Sequence, residues 1–155
     1  MLFTEGCPQE LPADDHAAYR GGADVAFDPE AGGVCFLPSR NLERSREFFQ
    51  ALGVTVEEMT PFACVMRAGS TMVRVTLVGA FQPQQFTAFG WEVDDIAATL
   101  AGLSERGVVA LHYEGIAQDP SGVWTTPDGS KIAWFNDPDG NVLSLTQFAA
   151  RPPDM

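Results

Sequence analysis

Beyond residue 32, the pattern of hydrophobic and polar positions predicts a strand, a helix and three further strands. Residues 34–37 form the short apolar run of a strand. The following segment has apolar residues at helical spacing, with Asn41 as a favourable N-cap and Gly53 where a glycine ends a helix. Strand-like segments follow at 54–57, 63–67 and 72–77. The first half of the chain therefore predicts one βαβββ unit.

The same pattern recurs in the second half. Residues 86–93 predict a strand, 95–106 a helix that ends at Gly107, and 108–113 another strand. Corresponding positions, such as Leu42 and Ile96, are 54 residues apart. A constant offset of this kind indicates an internal duplication of one βαβββ unit rather than a chance similarity.

This repeat divides the chain into four segments. Residues 1–32 are rich in proline, glycine and acidic residues without a sustained apolar period, which predicts an irregular N-terminal arm. The two modules occupy 33–80 and 86–148, and 149–155 form a C-terminal tail. Within the second module, 114–129 are punctuated by glycine and proline and have the length of a functional loop.

The charge of the chain excludes some partners. Twenty-one acidic residues stand against nine basic ones, giving a formal net charge of −12, so a basic surface for nucleic acid cannot be assembled. No signal peptide or membrane-spanning apolar run is visible, and we therefore expect a cytoplasmic protein without a membrane partner. Three cysteines without CxxC spacing argue against a disulfide framework.

One motif carries a family resemblance. Residues 135–145, FNDPDGNVLSL, closely resemble the F-x-D-P-D-G-N-x-L-E-L signature of the vicinal oxygen chelate superfamily, which contains glyoxalases, bleomycin resistance proteins and dioxygenases. Residues 42–49 resemble the helix opening of the same family. The resemblance implies an α+β fold in which two tandem βαβββ modules curl into a partly closed mixed barrel with the helices outside. Because this fold hosts several activities, it does not settle the function.

The resemblance also implies where a metal would bind. In metal-dependent relatives each module supplies two ligands from its first and last strands, and a divalent cation needs imidazole or carboxylate donors there. The final glutamate of the signature is replaced here by Ser144. The two first-strand positions correspond to Val34 and Ala88, and the remaining one to Arg74 or Val73. We therefore expect no metal and no other cofactor.

The same positions predict a ligand site. We expect a cavity between the modules, bordered by the 114–129 loop and lined by Val34, Phe36, Arg74, Ala88 and Ser144. A cation inside a barrel needs a partner, so Arg74 either recognises an anionic ligand or forms a buried pair with Glu92. Trp124, in the loop, either seals the cavity or stacks on the ligand.

Catalytic residues are less clearly indicated. His112, at a strand end, and Glu92 are weak candidates for acid–base chemistry. The favoured hypothesis is a metal-free protein that binds or sequesters a small molecule, with a homodimer as the candidate assembly. The alternatives are a metal-independent lyase or isomerase and a metalloenzyme with displaced ligands, so the sequence leaves open whether the protein is an enzyme.

Overall fold

The structure, a computed structural model, describes residues 26–150. The parts of the predicted arm and tail at 1–25 and 151–155 lie outside the described residues, and 26–32 contain a bend and a turn. The described elements are β1 (Val34–Ser39), α1 (Leu42–Ala51), β2 (Thr55–Met59), β3 (Ala63–Ala68), β4 (Thr71–Leu77), β5 (Thr87–Glu92), α2 (Ile96–Glu105), β6 (Trp124–Thr125), β7 (Lys131–Asn136) and β8 (Val142–Gln147).

These strands form two four-stranded mixed sheets. Sheet 1 has the order β1-β4-β3-β2, and sheet 2 has the equivalent order β5-β8-β7-β6. In each sheet the first and last strands pair in parallel, while the other pairs are antiparallel. The α+β class is therefore confirmed, and the matching strand order agrees with a duplicated unit. The two sheets are not closed, so the predicted barrel closure does not describe the arrangement.

Both helices begin and end where the sequence predicts. The side chain of Asn41 accepts a hydrogen bond from the backbone N–H of Arg44, and Asp95 caps α2 in the same way through Ala98. Gly53 follows α1 with a φ of 87° and Gly107 follows α2 with a φ of 79°, values that favour glycine. Local capping chemistry thus fixes the length of each helix.

The two modules share one hydrophobic core on the helix side of the sheets. It combines residues of both helices with alternate residues of the strands, including Phe49, Val73 and Phe135. Phe89 and Trp91 of β5 both pack against this core. The ring of Trp91 lies 6.3 Å from that of Phe49, so the contact crosses from one module to the other.

The signature turn at 137–141 fastens the second module to the first. Asp137 accepts backbone hydrogen bonds from Asp139 and Asn141, each at 2.9 Å. Asn141 in turn donates to the carbonyl of Pro38 in β1, and Asp139 accepts from the backbone N–H of Arg40. Burial raises the pKa of the Asp137 carboxyl above its ordinary value. The motif therefore positions the end of β1 against the β7–β8 turn.

The strand predicted at 108–113 was wrong, because this segment runs alongside β7 without forming a ladder. Its described backbone contact with β7 is a 2.7 Å hydrogen bond from Leu111 to Trp134. Instead, the side chain of Gln118 donates to the carbonyl of Leu111 and accepts from the N–H of Tyr113. The short β6 pairs with the start of β7 and replaces the predicted strand at this edge.

Candidate functional site

The candidate site lies on the sheet faces turned away from the helices, here called the open face. Strands β1 and β5 are the terminal strands of their sheets, and they contact each other. The line along which they meet is called the seam. Side chains alternate between the two faces of a strand, so residues flanking the core positions belong to the open face.

On the sheet 1 side of the seam, the structure places Phe36 beside Arg74. These residues are cross-strand partners in the parallel β1–β4 pair. Two residues earlier in the same pair of strands, Val34 is paired with Met72. Phe36 and Val34 are 64% and 48% exposed, while Arg74 is half-buried. Val73 is fully buried in the core. Of the two residues that the sequence left open for this position, Arg74 is therefore the one on the open face.

Arg74 does not form the pair with Glu92, which was one of the two roles that the sequence left open for it. Within residues 26–150, no carboxylate lies within 4.0 Å of the Arg74 guanidinium. Glu92 is exposed at the end of β5, where it also borders a pocket of about 150 Å³ with Leu52 and Leu103. The two residues lie on different sheets, with β1 between β4 and the seam. The sequence contained no information on this separation.

On the sheet 2 side, Gly90, Ser144 and Trp134 form a cross-strand row. Gly90 pairs with Ser144, and Ser144 pairs with Trp134. A Cβ atom on Gly90 would lie only 2.3 Å from the Ser144 hydroxyl oxygen, so this strand position requires glycine. Ser144 itself is buried. Two small residues therefore form the floor of the open face next to the seam.

Ala88 lies at an irregularity in β5 and borders a different space. The register of β5 against β8 shifts between Thr87 and Phe89, which leaves Ala88 unpaired. Ala88 lines a pocket of about 230 Å³ together with Pro38, Val142 and the 81–86 connection between the modules. The other residues predicted to line the cavity, Val34, Phe36, Arg74 and Ser144, belong to the strand positions of the open face.

Aromatic side chains border the sheet 2 part of the open face. The rings of Trp124 and Trp134 lie 6.3 Å apart with planes only 20° from parallel. Tyr113 packs edge-on against Trp134 at 5.4 Å, and the Trp134 indole nitrogen donates to the Thr87 hydroxyl. Trp134 and Tyr113 were not predicted for the site. Alternation shows that Trp134 and Phe135 face opposite sides, but only the buried position of Phe135 tells which side is the core.

His112 lies apart from these residues. Together with Leu100, Ala101 and Val108, it lines a pocket of about 360 Å³ beside α2. Val108 and Ala110 lie four and two residues before His112, on the same side of the extended segment, and both pack against the helix-side core. The structure therefore does not bring His112 together with the open-face strand positions that hold Arg74 and Ser144.

The four positions that hold metal ligands in metal-dependent relatives do not fit a metal ion here. Val34, Arg74, Ala88 and Ser144 offer two aliphatic groups, a guanidinium and a neutral hydroxyl, whereas divalent cations need imidazole, thiolate or carboxylate donors. Across the described part of the chain, no group of three or more His, Cys, Asp or Glu residues is placed to hold a metal. The chemistry that this arrangement supports is binding between apolar surfaces and a few directional polar groups.

The fold and the signature turn agree with comparisons to known proteins. The sequence model of the glyoxalase/bleomycin resistance protein/dioxygenase superfamily matches residues 33–145. The chain belongs to this superfamily. A search of curated proteins finds no match to this chain. Neither helix of the described residues is long and apolar enough to cross a membrane.

Solved structures of superfamily proteins share the fold at low sequence identity. A bleomycin resistance determinant encoded on transposon Tn5 is 20% identical with a TM-score of 0.60, covering 76% of this chain and 97% of its own. A bleomycin-binding protein complexed with bleomycin is 21% identical with a TM-score of 0.59, covering 77% and 99%. Lactoylglutathione lyase from Agrobacterium tumefaciens is 16% identical with a TM-score of 0.60, covering 78% and 96%. These likenesses establish the fold alone.

Proposed function

We propose that this protein binds or sequesters a small molecule on the open face, on both sides of the seam, without a metal ion. The carrying observation is the composition of the four positions that hold metal ligands in metal-dependent relatives. Val34, Arg74, Ala88 and Ser144 supply no cation-binding set, but they combine apolar contact with one guanidinium and one hydroxyl. Small-molecule sites in proteins have this balance of apolar lining and few polar anchors.

Arg74 is the proposed polar anchor. Its side chain is half-buried beside the exposed ring of Phe36, and no described carboxylate neutralises it. A partly desolvated guanidinium is stabilised by a planar oxyanion or carbonyl that accepts from its fork of N–H donors. Binding of such a group would satisfy Arg74 while an adjoining apolar part of the ligand covers Phe36.

The structural neighbours support this function at the level of the fold. One of them is described as a bleomycin-binding protein in complex with bleomycin. A protein of this fold can therefore hold a sizeable organic molecule. Metal-free bleomycin is accordingly the first probe for this chain, within a thermal-shift screen of chemically diverse small molecules.

The Arg74→Met variant tests the proposal. Methionine retains much of the side-chain volume but removes the charge, so we expect the affinity for the best compound of the screen to fall by about 1.5–3 kcal/mol. Isothermal titration calorimetry would measure this change against Arg46→Met, a matched loss of charge on α1 outside the site. Equal affinities of wild type and Arg74→Met, measured on folded protein, would remove Arg74 from the site.

A metal-independent lyase or isomerase is the alternative function. One structural neighbour is described as a lactoylglutathione lyase. Such a metal-independent enzyme would use Arg74 with His112 or with Glu92, so both groups of the pair must reach one substrate. His112 lines the pocket beside α2, and Glu92 lies on the other sheet from Arg74. The binding function therefore has the stronger geometric support.

We also propose that the protein forms a homodimer through its open face. Val34 and Phe36 are large apolar side chains that the described chain leaves exposed next to the seam. A second copy that covers the part of these side chains left exposed by the ligand would remove apolar surface from water and enclose the site. Light scattering coupled to size-exclusion chromatography tests this proposal, with twice the 16.7 kDa chain mass expected. A monomer at micromolar concentration would contradict it.

A further inference from the structure

We propose that the sheet 2 half of the open face recognises a planar, positively charged aromatic ring system. This inference rests on the proposed small-molecule function and specifies the class of ligand. It is carried by the near-parallel pair formed by Trp124 and Trp134, here called the indole pair, by the small residues beside it, and by the charge of the same face.

The indole pair is a preorganised aromatic surface. Trp134 is held by its 3.1 Å hydrogen bond to Thr87 and by the edge of Tyr113, and Trp124 lies nearly parallel to it. Both tryptophans remain half-buried, although large aromatic side chains usually bury themselves in a core. A flat ligand ring can pack against this surface with little loss of conformational entropy of the protein, because the indoles are already fixed.

The floor beside the indole pair leaves room for a ring. Gly90 has no side chain, and Ser144 and Thr146 follow it on the neighbouring strand with short hydroxyl-bearing side chains. The Gly90 Cβ position is already occupied by the Ser144 hydroxyl, so the two residues together occupy the space of one small side chain. A flat ligand can therefore lie over β5 and β8 and reach the indoles.

The charge on this face favours a cation. Among the described strand positions of the open face of sheet 2, Glu92 is the one carboxylate and no basic residue is present. Glu92 pairs with Thr146, Thr146 with Ile132, and Ile132 with Trp124, so Glu92 and Trp124 belong to one cross-strand row, next to the row that contains Trp134. Three strand spacings, about 14 Å between backbones, separate Glu92 from Trp124. A ring system with an amino substituent that stacks on Trp124 and extends toward β5 would approach the Glu92 carboxylate.

The general electrostatics act in the same direction. Aromatic faces attract cations through their quadrupole, most strongly for tryptophan. The chain has a formal net charge of −12, which raises the local concentration of cations around it. On sheet 2 a planar cation is thus favoured by stacking, by Glu92 and by the overall field, whereas a planar anion gains only the stacking unless it also reaches Arg74 on sheet 1.

Proflavine, a planar diaminoacridine cation, is the probe for this proposal. We expect saturable binding by calorimetry and weaker binding of the flexible cation spermidine. In Arg74→Met, which lacks the anion anchor of sheet 1, the planar anion anthracene-9-carboxylate should also bind more weakly than proflavine. Trp124→Leu should lower proflavine affinity at least about fivefold, since stacking on an aromatic side chain accounts for that much or more. Trp124→Phe should restore part of the affinity. Glu92→Gln should lower it about two- to fivefold.

Matched variants outside the face serve as controls. Phe62→Leu removes an exposed aromatic ring before β3, and Glu105→Gln removes a carboxylate at the end of α2. Both should bind proflavine as wild type does. No binding of proflavine by wild type, equal binding of the planar anion and proflavine by Arg74→Met, or unchanged affinity in folded Trp124→Leu would overturn the inference. If Arg74→Met still weakens the best compound of the screen, the proposed function stands even though this inference fails.

Discussion

Ser144 and Gly90 show how two residues can define a surface through their sizes. Ser144 replaces the glutamate of the family signature, and its hydroxyl occupies the space where a side chain on Gly90 would begin. The sequence predicted Ser144 for the site because the motif fixes its position. Gly90 was not predicted as a site residue, since its importance depends on a cross-strand distance that no sequence pattern expresses.

The Gly90→Ala variant tests this close packing. Its new Cβ would collide with the Ser144 hydroxyl, so we expect the free energy of unfolding to fall by about 1–3 kcal/mol, as for overpacked interiors. Adding Ser144→Gly removes the colliding atoms and should restore part of the loss. Gly79→Ala is the control, because its Cβ would meet nothing within 4 Å. Urea unfolding that shows the same stability for Gly90→Ala and wild type would contradict the packing.

Arg74 marks the limit of prediction at single residues. Strand alternation correctly placed its side chain opposite the core, and the observed register with Phe36 removes the ambiguity with Val73. The pair with Glu92, one of the two roles that the sequence left open, does not form, because alternation gives the face of a residue but not the distance between two sheets. The sequence alone therefore defines the chemistry of each side chain better than it defines which residues that side chain contacts.

Secondary-structure elements were predicted well where local chemistry determines them. Both helices have their caps in Asn41 and Asp95 and their terminating glycines in sequence, and they formed as expected. The segment at 108–113 has a strand-like composition but does not join a ladder. Its backbone groups are satisfied by the side chain of Gln118, a tertiary contact that overrides local propensity.

Replacing Gln118 with alanine should loosen this segment. The side chain contacts three backbone groups, at Tyr113, Leu111 and Gly122, and alanine leaves all three without this partner. We expect faster amide hydrogen exchange across 109–122 and unchanged exchange in β3. Gln50→Ala, on the exposed side of α1, is the matched control. Unchanged exchange in 109–122 would show that Gln118 does not hold the segment.

For the whole molecule, the resemblance correctly implied the α+β class and the superfamily. It also implied a partly closed barrel, but the two sheets are not closed. The offset of 54 residues between the halves agrees with the equivalent strand orders of the two sheets. Barrel closure depends on strand tilt and on contacts between sheets, which a repeat in one chain does not specify. Turn and core patterns therefore predict topology, whereas the relation between the sheets requires coordinates.

The purified protein should contain no stoichiometric divalent metal. The four family positions hold no donor set for such an ion, so we expect well below one equivalent by elemental analysis. The measurement should follow purification without chelators and incubation with zinc, iron, nickel or manganese. Retention of about one equivalent after removal of free metal would favour the metalloenzyme alternative with displaced ligands.

The central claim is that the open face binds the ligand. Its most direct test is a ¹⁵N–¹H correlation spectrum of the full chain, titrated with the tightest-binding compound of the thermal-shift screen. The proposed site predicts that the largest shifts occur at Phe36, Arg74, Gly90 and Ser144 on both sides of the seam. Largest shifts instead around His112 and Leu100, in the pocket beside α2, would contradict the claim.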